Sequence, residues 1–214
     1  MRVVSRIVTA SLALVLVAPS LSAQSLSLGL RGTGSFPTGA FSSTQSTSGT
    51  STLISGAQTG FGYGLDAGIS LGMLGLYGGF DHIKFDCATS SCASNGEYTL
   101  QGVTVGAKLS TPNISLLRPY LKGGITFNEL KGGSGGSSSN RFTTDKSPGY
   151  EIGVGADIGV MGLVSVSPQL RYVGQNLTAR IPGVTTPTTS TEQGVKYFTF
   201  DLGLSVHTPF SGMR

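Results

Sequence analysis

From residue 197 the chain reads Tyr-Phe-Thr-Phe-Asp-Leu-Gly-Leu-Ser-Val. Phe198, Phe200, Leu202, Leu204 and Val206 share one parity; Tyr197, Thr199, Asp201, Gly203 and Ser205 share the other. Side chains alternate between the two sides of a strand, so the segment predicts a strand with one apolar and one polar face. Similar alternation predicts seven earlier strands, at about 25–36, 59–71, 76–85, 98–109, 119–130, 150–160 and 164–173. The second is the cleanest, with Phe61, Tyr63, Leu65, Ala67 and Ile69 opposite Gly62, Gly64, Asp66, Gly68 and Ser70. In the third the phase breaks, because Leu76 and Phe80 favour one parity while Tyr77, Ile83 and Phe85 favour the other. In the fourth, Leu100 is out of step with Val103, Val105 and Leu109. A bulge in each strand, the second near Gln101, would reconcile these patterns.

The connections alternate long, short, long, short, long, short, long, and the long ones are rich in Ser, Thr and Gly. An even strand count with short turns at one end and long loops at the other is the layout of a transmembrane barrel. The composition of the polar face points the same way. It is mostly Gly, Ser and Thr, where a water-facing strand would carry Lys and Glu. Glycine weakens an exposed strand but suits the narrow interior of an eight-stranded barrel. Leu, Ile, Val and Phe turned outward would drive aggregation in water, whereas a bilayer solvates them, and closure pairs the backbone groups as lipid requires. The expectation is an all-β fold: an eight-stranded antiparallel up-and-down transmembrane β-barrel.

Composition sharpens this picture. Charged residues make up 11% of the chain, against about 25% in soluble domains. Arg2 and Arg6, the apolar run 7–18 and the small residues up to Ala23 read as a secretory signal. The run is too short for a membrane-spanning helix. The domain reading is therefore a signal peptide at 1–23 and a barrel at 24–214. Without residues 1–23 the chain has 14 − 2 = 12 basic and 10 acidic groups, a net charge of +2 with no basic cluster, so a nucleic-acid partner is not expected.

The inward parities place a few charges in the lumen. Asp66, Arg31, Asp201 and Arg171 fall near mid-strand on four strands that become neighbours on closure, which predicts an ion-pair belt in that order. Lys108, Lys122 and Asp157 predict a second, lower cluster. Charges buried this way persist only when paired and hydrogen-bonded. Cys87 and Cys92 lie in Cys-Ala-Thr-Ser-Ser-Cys, where export favours a local disulfide. Two free thiols or part of a metal site are the alternatives, although a lone pair lacks the further ligands zinc requires. Gly153-Val-Gly155 lacks the strand–turn–helix setting of a dinucleotide site. His82, near Asp81 and Asp86, has no catalytic spacing around it. No enzyme, metal or cofactor is expected.

Three stretches carry a family resemblance: Gly29-Leu-Arg-Gly-Thr-Gly-Ser-Phe-Pro-Thr-Gly-Ala-Phe41, Arg118-Pro-Tyr-Leu-Lys-Gly-Gly-Ile125 and the closing Tyr-x-Phe-x-Leu-Gly-Leu-x-Val. With them the chain resembles the small outer-membrane β-barrel domain proteins of Gram-negative bacteria. The resemblance implies an outer-membrane location, contact with outer-membrane lipid, and a closing strand read by the barrel-assembly machinery. The residues matching that assembly signal are Tyr197, Phe200, Leu202, Gly203, Leu204, Val206 and Phe210, with Arg214 running past the usual terminal aromatic. The family includes adhesins, channels, structural barrels and a few enzymes, so resemblance alone does not choose a role. The expectation is a filled polar lumen with a structural or surface-interaction role through the extracellular loops, any surface ligand being unidentified. The alternative is a narrow channel for small solutes, which an eight-stranded lumen disfavours.

Overall fold

The computed structural model describes residues 24–42, 56–87, 97–112, 116–133, 142–180 and 192–209. Residues 1–23, where a signal is expected, Cys92 and Phe210 lie outside the described residues. Eight long strands are present: β1 (Gln24–Thr38), β2 (Ala57–Leu71), β3 (Leu74–Cys87), β4 (Glu97–Ser110), β5 (Leu117–Gly133), β7 (Ser147–Met161), β8 (Val164–Arg180) and β9 (Glu192–Pro209). A three-residue strand, β6 (Phe142–Thr144), pairs with the upper ends of β5 and β8. All pairings are antiparallel, and β1–β9, β4–β5 and β7–β8 contacts close the sheet into a barrel.

The register gives the barrel's stagger. From Ser27, successive partners are Gly68, Tyr77, Gly106, Gly124, Glu151, Val173, Tyr197 and finally Pro37, back on β1. The circuit returns 37 − 27 = 10 residues further along, a shear of ten for eight strands. Such stagger tilts the strands steeply and leaves an interior that side chains can fill.

The faces follow the alternation. Phe61 is 72% exposed and Leu202 56%, and Ile69 and Val154 also face out, whereas Arg31 and Asp201 are 4% and 0% exposed. The outward positions in the half nearer the short turns are aliphatic, among them Leu26, Leu28, Leu71, Leu76, Leu109 and Val206. In the half nearer the long loops they become aromatic, with Phe36, Phe61, Tyr63, Tyr150, Tyr172, Phe198 and Phe200. An apolar band edged by aromatic rings matches the hydrocarbon slab and its interface.

The expected bulges in the third and fourth strands are absent. The β3–β4 register runs unbroken from Leu74↔Leu109 to Asp86↔Glu97, and β4–β5 is equally continuous. Irregularities fall instead at Ala57/Gly60 and Gly159/Met161. The phase conflict has another cause: Tyr77 is an inward aromatic that donates to Glu151, and nearer the long loops the polarity of the wall inverts. There Ile83, Phe85, Leu100 and Leu130 point inward and are fully buried. Their outward neighbours are Lys84, Thr99, Gln101, Glu129 and Lys131. The strands therefore run beyond the apolar band, where water outside demands a polar exterior and an apolar core. This also explains why β5, β8 and β9 are longer than their apolar–polar patterns suggest.

Candidate functional site

The lumen has three storeys. The middle one is a network of ion pairs. Arg31 on β1 pairs with Asp66 and, through Nη2 at 2.7 Å, with Asp81. Arg171 on β8 reaches Asp201 at 2.7 Å, Glu151 at 2.8 Å and Asp81 at 3.1 Å. Thr199 adds a hydrogen bond to Asp201 at 3.0 Å, and the Tyr77 hydroxyl donates to Glu151 at 2.9 Å. Arg171 is almost wholly buried and all five of its contacts go to carboxylate oxygens. A guanidinium presents a planar fork of donors, so it can bridge acids on three strands at once where an ammonium could not.

Placement follows from strand parity and from missing side chains. A Cβ at Gly64 would lie 2.7 Å from Nε and Cζ of Arg31, so the guanidinium occupies space that only glycine leaves open. Asp66, Arg31, Asp201 and Arg171 all lie in this storey, but not in a simple alternating row. Arg31 is opposite Gly203 in the β1–β9 register, and no ion pair joins Arg31 to Asp201 among the described residues. Asp81 links the two arginines instead. The reason is reach: neighbouring strands share the wall, but long side chains meet across a narrow lumen.

The lower storey differs from the expected trio in one member. Lys108 reaches Asp157 at 2.7 Å and lies 3.8 Å from the Tyr120 ring centroid, while Ser167 donates to Asp157 at 2.8 Å. Lys122 turns upward and pairs with Glu151 at 3.2 Å, joining the middle network. Nearer the short turns, His207 Nε2 is 2.7 Å from the Ser165 hydroxyl and 3.1 Å from that of Ser205. His82 faces outward and stacks on its cross-strand partner Tyr63, with ring centroids 5.2 Å apart. Asp81 points into the lumen, so His82 and Asp81 cannot act together.

The upper storey is apolar. Ile83, Phe85, Tyr98, Leu100, Leu130, Val173, Leu177, Val195 and Tyr197 form one buried cluster. Phe41 completes it. This residue ends a 3₁₀ turn, Gly39–Phe41, in a loop whose composition suggested little to bury. Its ring is 0% exposed and packs edge-on against Phe85 at 5.1 Å, with Tyr98 at 5.9 Å. Cys87 packs against the same cluster. Of the closing-strand residues, Phe200, Leu202, Leu204 and Val206 face outward, and Tyr197 lies inside, T-shaped on Phe85 at 5.6 Å. No group of His, Cys, Asp and Glu among the described residues could hold a metal ion.

Solved structures with the same architecture include Neisserial surface protein A. It has 16% sequence identity, a TM-score of 0.55, and an alignment covering 86% of this chain and 96% of that one. The outer membrane protein OprG of Pseudomonas aeruginosa matches with 13% identity, a TM-score of 0.56, and coverage of 86% and 95%. AlkL, an outer membrane protein solved in lipid bilayers, matches with 12% identity, a TM-score of 0.55, and coverage of 89% and 92%. At these identities the likeness is one of fold. No curated protein sequence matches the chain. The family model for the outer membrane protein beta-barrel domain matches residues 9–207, most of the chain, and with a closed eight-stranded barrel clad in apolar side chains this chain belongs to that family.

Proposed function

We propose that this protein is a non-enzymatic, non-conducting outer-membrane barrel whose working surface is its extracellular end. The observation carrying this reading is the apolar upper storey capped by Phe41. A solute entering from outside would meet a dry, packed cluster and then a network of paired charges. Neither offers a continuous aqueous path. Side chains rather than water fill lumens of this size in small barrels. With the interior occupied, a role in recognition or in envelope structure falls to the long loops expected at 37–58, 86–97, 131–148 and 174–193. The same reading includes export by residues 1–23, a Cys87–Cys92 disulfide and recognition of the closing strand by the assembly machinery.

Planar-bilayer recording tests it. The purified barrel should insert without steady conductance, and Phe41→Ala should leave it closed, because the ion-pair storey lies below. A stable, solute-sized conductance in the unaltered protein would favour the narrow-channel reading and overturn this one. Loop deletions that preserve heat-modifiable migration but abolish attachment to a host or abiotic surface would favour recognition over a purely structural role.

A further inference from the structure

On the outer wall, at the upper edge of the aromatic band, β7, β8 and β9 bring three residues into one row. Tyr150 is opposite Gly174, and Gly174 is opposite Lys196. Tyr150 does not simply project outward. A Cβ at Gly174 would lie 2.7 Å from both Cζ and Oη of Tyr150, so the phenol lies flat across the bare glycine toward β9. Gly174 is the direct cross-strand neighbour of Lys196, so the phenol, which also shares a hydrogen bond with Tyr172, and the lysine stand at one height on the wall.

Lys196 is exposed and has no ion pair among the described residues. Two other outward lysines at this end do: Lys84 lies 3.5 Å from Glu97, and Lys131 lies 3.3 Å from Glu129. Just below Lys196, Tyr172 and Phe198 pack at 4.9 Å, and Tyr150 and Tyr172 at 6.1 Å. In the row, Phe198 is opposite Phe36, which extends the aromatic floor to β1. The site thus has one ammonium and one phenolic donor at the water–lipid boundary above a ledge of rings.

We propose that Lys196 and Tyr150 seat the phosphate of an anionic lipid head group in the outer leaflet. Charge complementarity selects the occupant, because an unpaired cation beside a neutral donor suits a phosphate oxygen. Position selects a lipid over a free anion. The rings continue the apolar band downward, so acyl chains of a bound molecule would run along Phe198, Tyr172 and the aliphatic wall beneath. Phenol and indole-type rings favour this interfacial depth, and each lysine at a membrane surface strengthens binding to anionic lipid. The site is separate from the lumen, so lipid retention and conductance can fail independently.

The test is native mass spectrometry of the purified barrel in detergent, titrated with diphosphoryl lipid A, with phosphatidylcholine, or with lipid A in the presence of inorganic phosphate. Lipid A adducts should form on the unaltered protein and exceed those with phosphatidylcholine. Lys196→Gln should weaken them about fivefold, the contribution of one interfacial lysine. Lys196→Arg should retain them, and Lys84→Gln, whose cation is already paired, should change little. Gly174→Ala should also weaken retention by displacing the phenol, with heat-modifiable migration reporting an intact barrel. Equal losses from Lys196→Gln and Lys84→Gln, equal retention of phosphatidylcholine, or displacement by inorganic phosphate would each overturn the assignment.

Discussion

Arg31 and Arg171 converge on one oxygen: Oδ1 of Asp81 accepts from Nη2 of Arg31 at 2.7 Å and from Nη2 of Arg171 at 3.1 Å. The shared carboxylate offsets the mutual repulsion of two like charges inside the barrel, and each arginine has a further acid of its own. Asp81 is thus the hinge of the lumen network, with Asp66 and Asp201 at its two ends.

The first prediction follows from that position. Removing one partner from a buried charge group leaves the other uncompensated, at a cost of about 3–5 kcal/mol. Asp81→Asn should fall in that range, because it exposes each arginine to the other's repulsion. Asp66 is about one-third exposed and has a single ionic partner, so Asp66→Asn should cost clearly less. Arg31→Leu should resemble Asp81→Asn more than Asp66→Asn. Urea unfolding in detergent, followed by the heat-modifiable gel shift, ranks the three. An equal and negligible effect of all of them would mean that the lumen is wet and its pairs are energetically idle.

A glycine comparison gives the second. Gly64 stands under the Arg31 guanidinium, which Asp66 and Asp81 clamp from both sides, whereas a Cβ at Gly32 would meet nothing within 4 Å. The side chain that Gly64→Ala would displace has nowhere to go without giving up an ion pair. Gly64→Ala should therefore destabilise the barrel, and Gly32→Ala should be neutral or slightly stabilising through the lost chain entropy of glycine. Unfolding midpoints of the two variants measured side by side decide it, and the reverse order would misplace Arg31.

A third prediction concerns the end of β3. Cys87 packs on the apolar cluster, and the proposed bond to Cys92 would close a ring of six residues. A ring that small stabilises by about 2 kcal/mol in the chain-entropy picture. Alkylation of the unreduced, denatured protein should add no label, and reduction should expose two thiols while leaving the barrel folded. Labelling of both cysteines without reductant would dismiss the bond.

The residues show what alternation reveals and where it stops. In β2 and in residues 197–206 of β9 it placed the outward side chains, because those stretches lie within the apolar band. It faltered in β3 and β4, where Ile83, Phe85 and Leu100 looked misplaced. These strands pass from lipid into water, and their greasy side changes sides with them. The partner choices inside were not legible. Whether Lys122 meets Asp157 or Glu151 depends on the ten-residue stagger and on side-chain reach across the lumen, and neither is written in any single strand. Phe41 was hidden for a simpler reason: one aromatic in a Ser/Gly-rich loop has no period.

That change of solvent is itself measurable, and it is the fourth prediction. Outward residues Leu65, Val105 and Ile125, on β2, β4 and β5, lie in the apolar band, whereas Lys84, Thr99 and Lys131, on β3, β4 and β5, lie beyond it. Nitroxides placed singly at these six positions, in protein with Cys87 and Cys92 replaced by serine and reconstituted in phospholipid, should fall into two groups. The first three should relax faster with oxygen, which concentrates in hydrocarbon. The last three should respond to a water-soluble nickel chelate. Inward labels at Leu100 and Leu130 should resist both, because those positions are fully buried. If positions 84, 99 and 131 were oxygen-sensitive, the band would extend to the strand tips. The buried cluster of Ile83, Phe85, Leu100 and Leu130 would then need another cause than water around the rim.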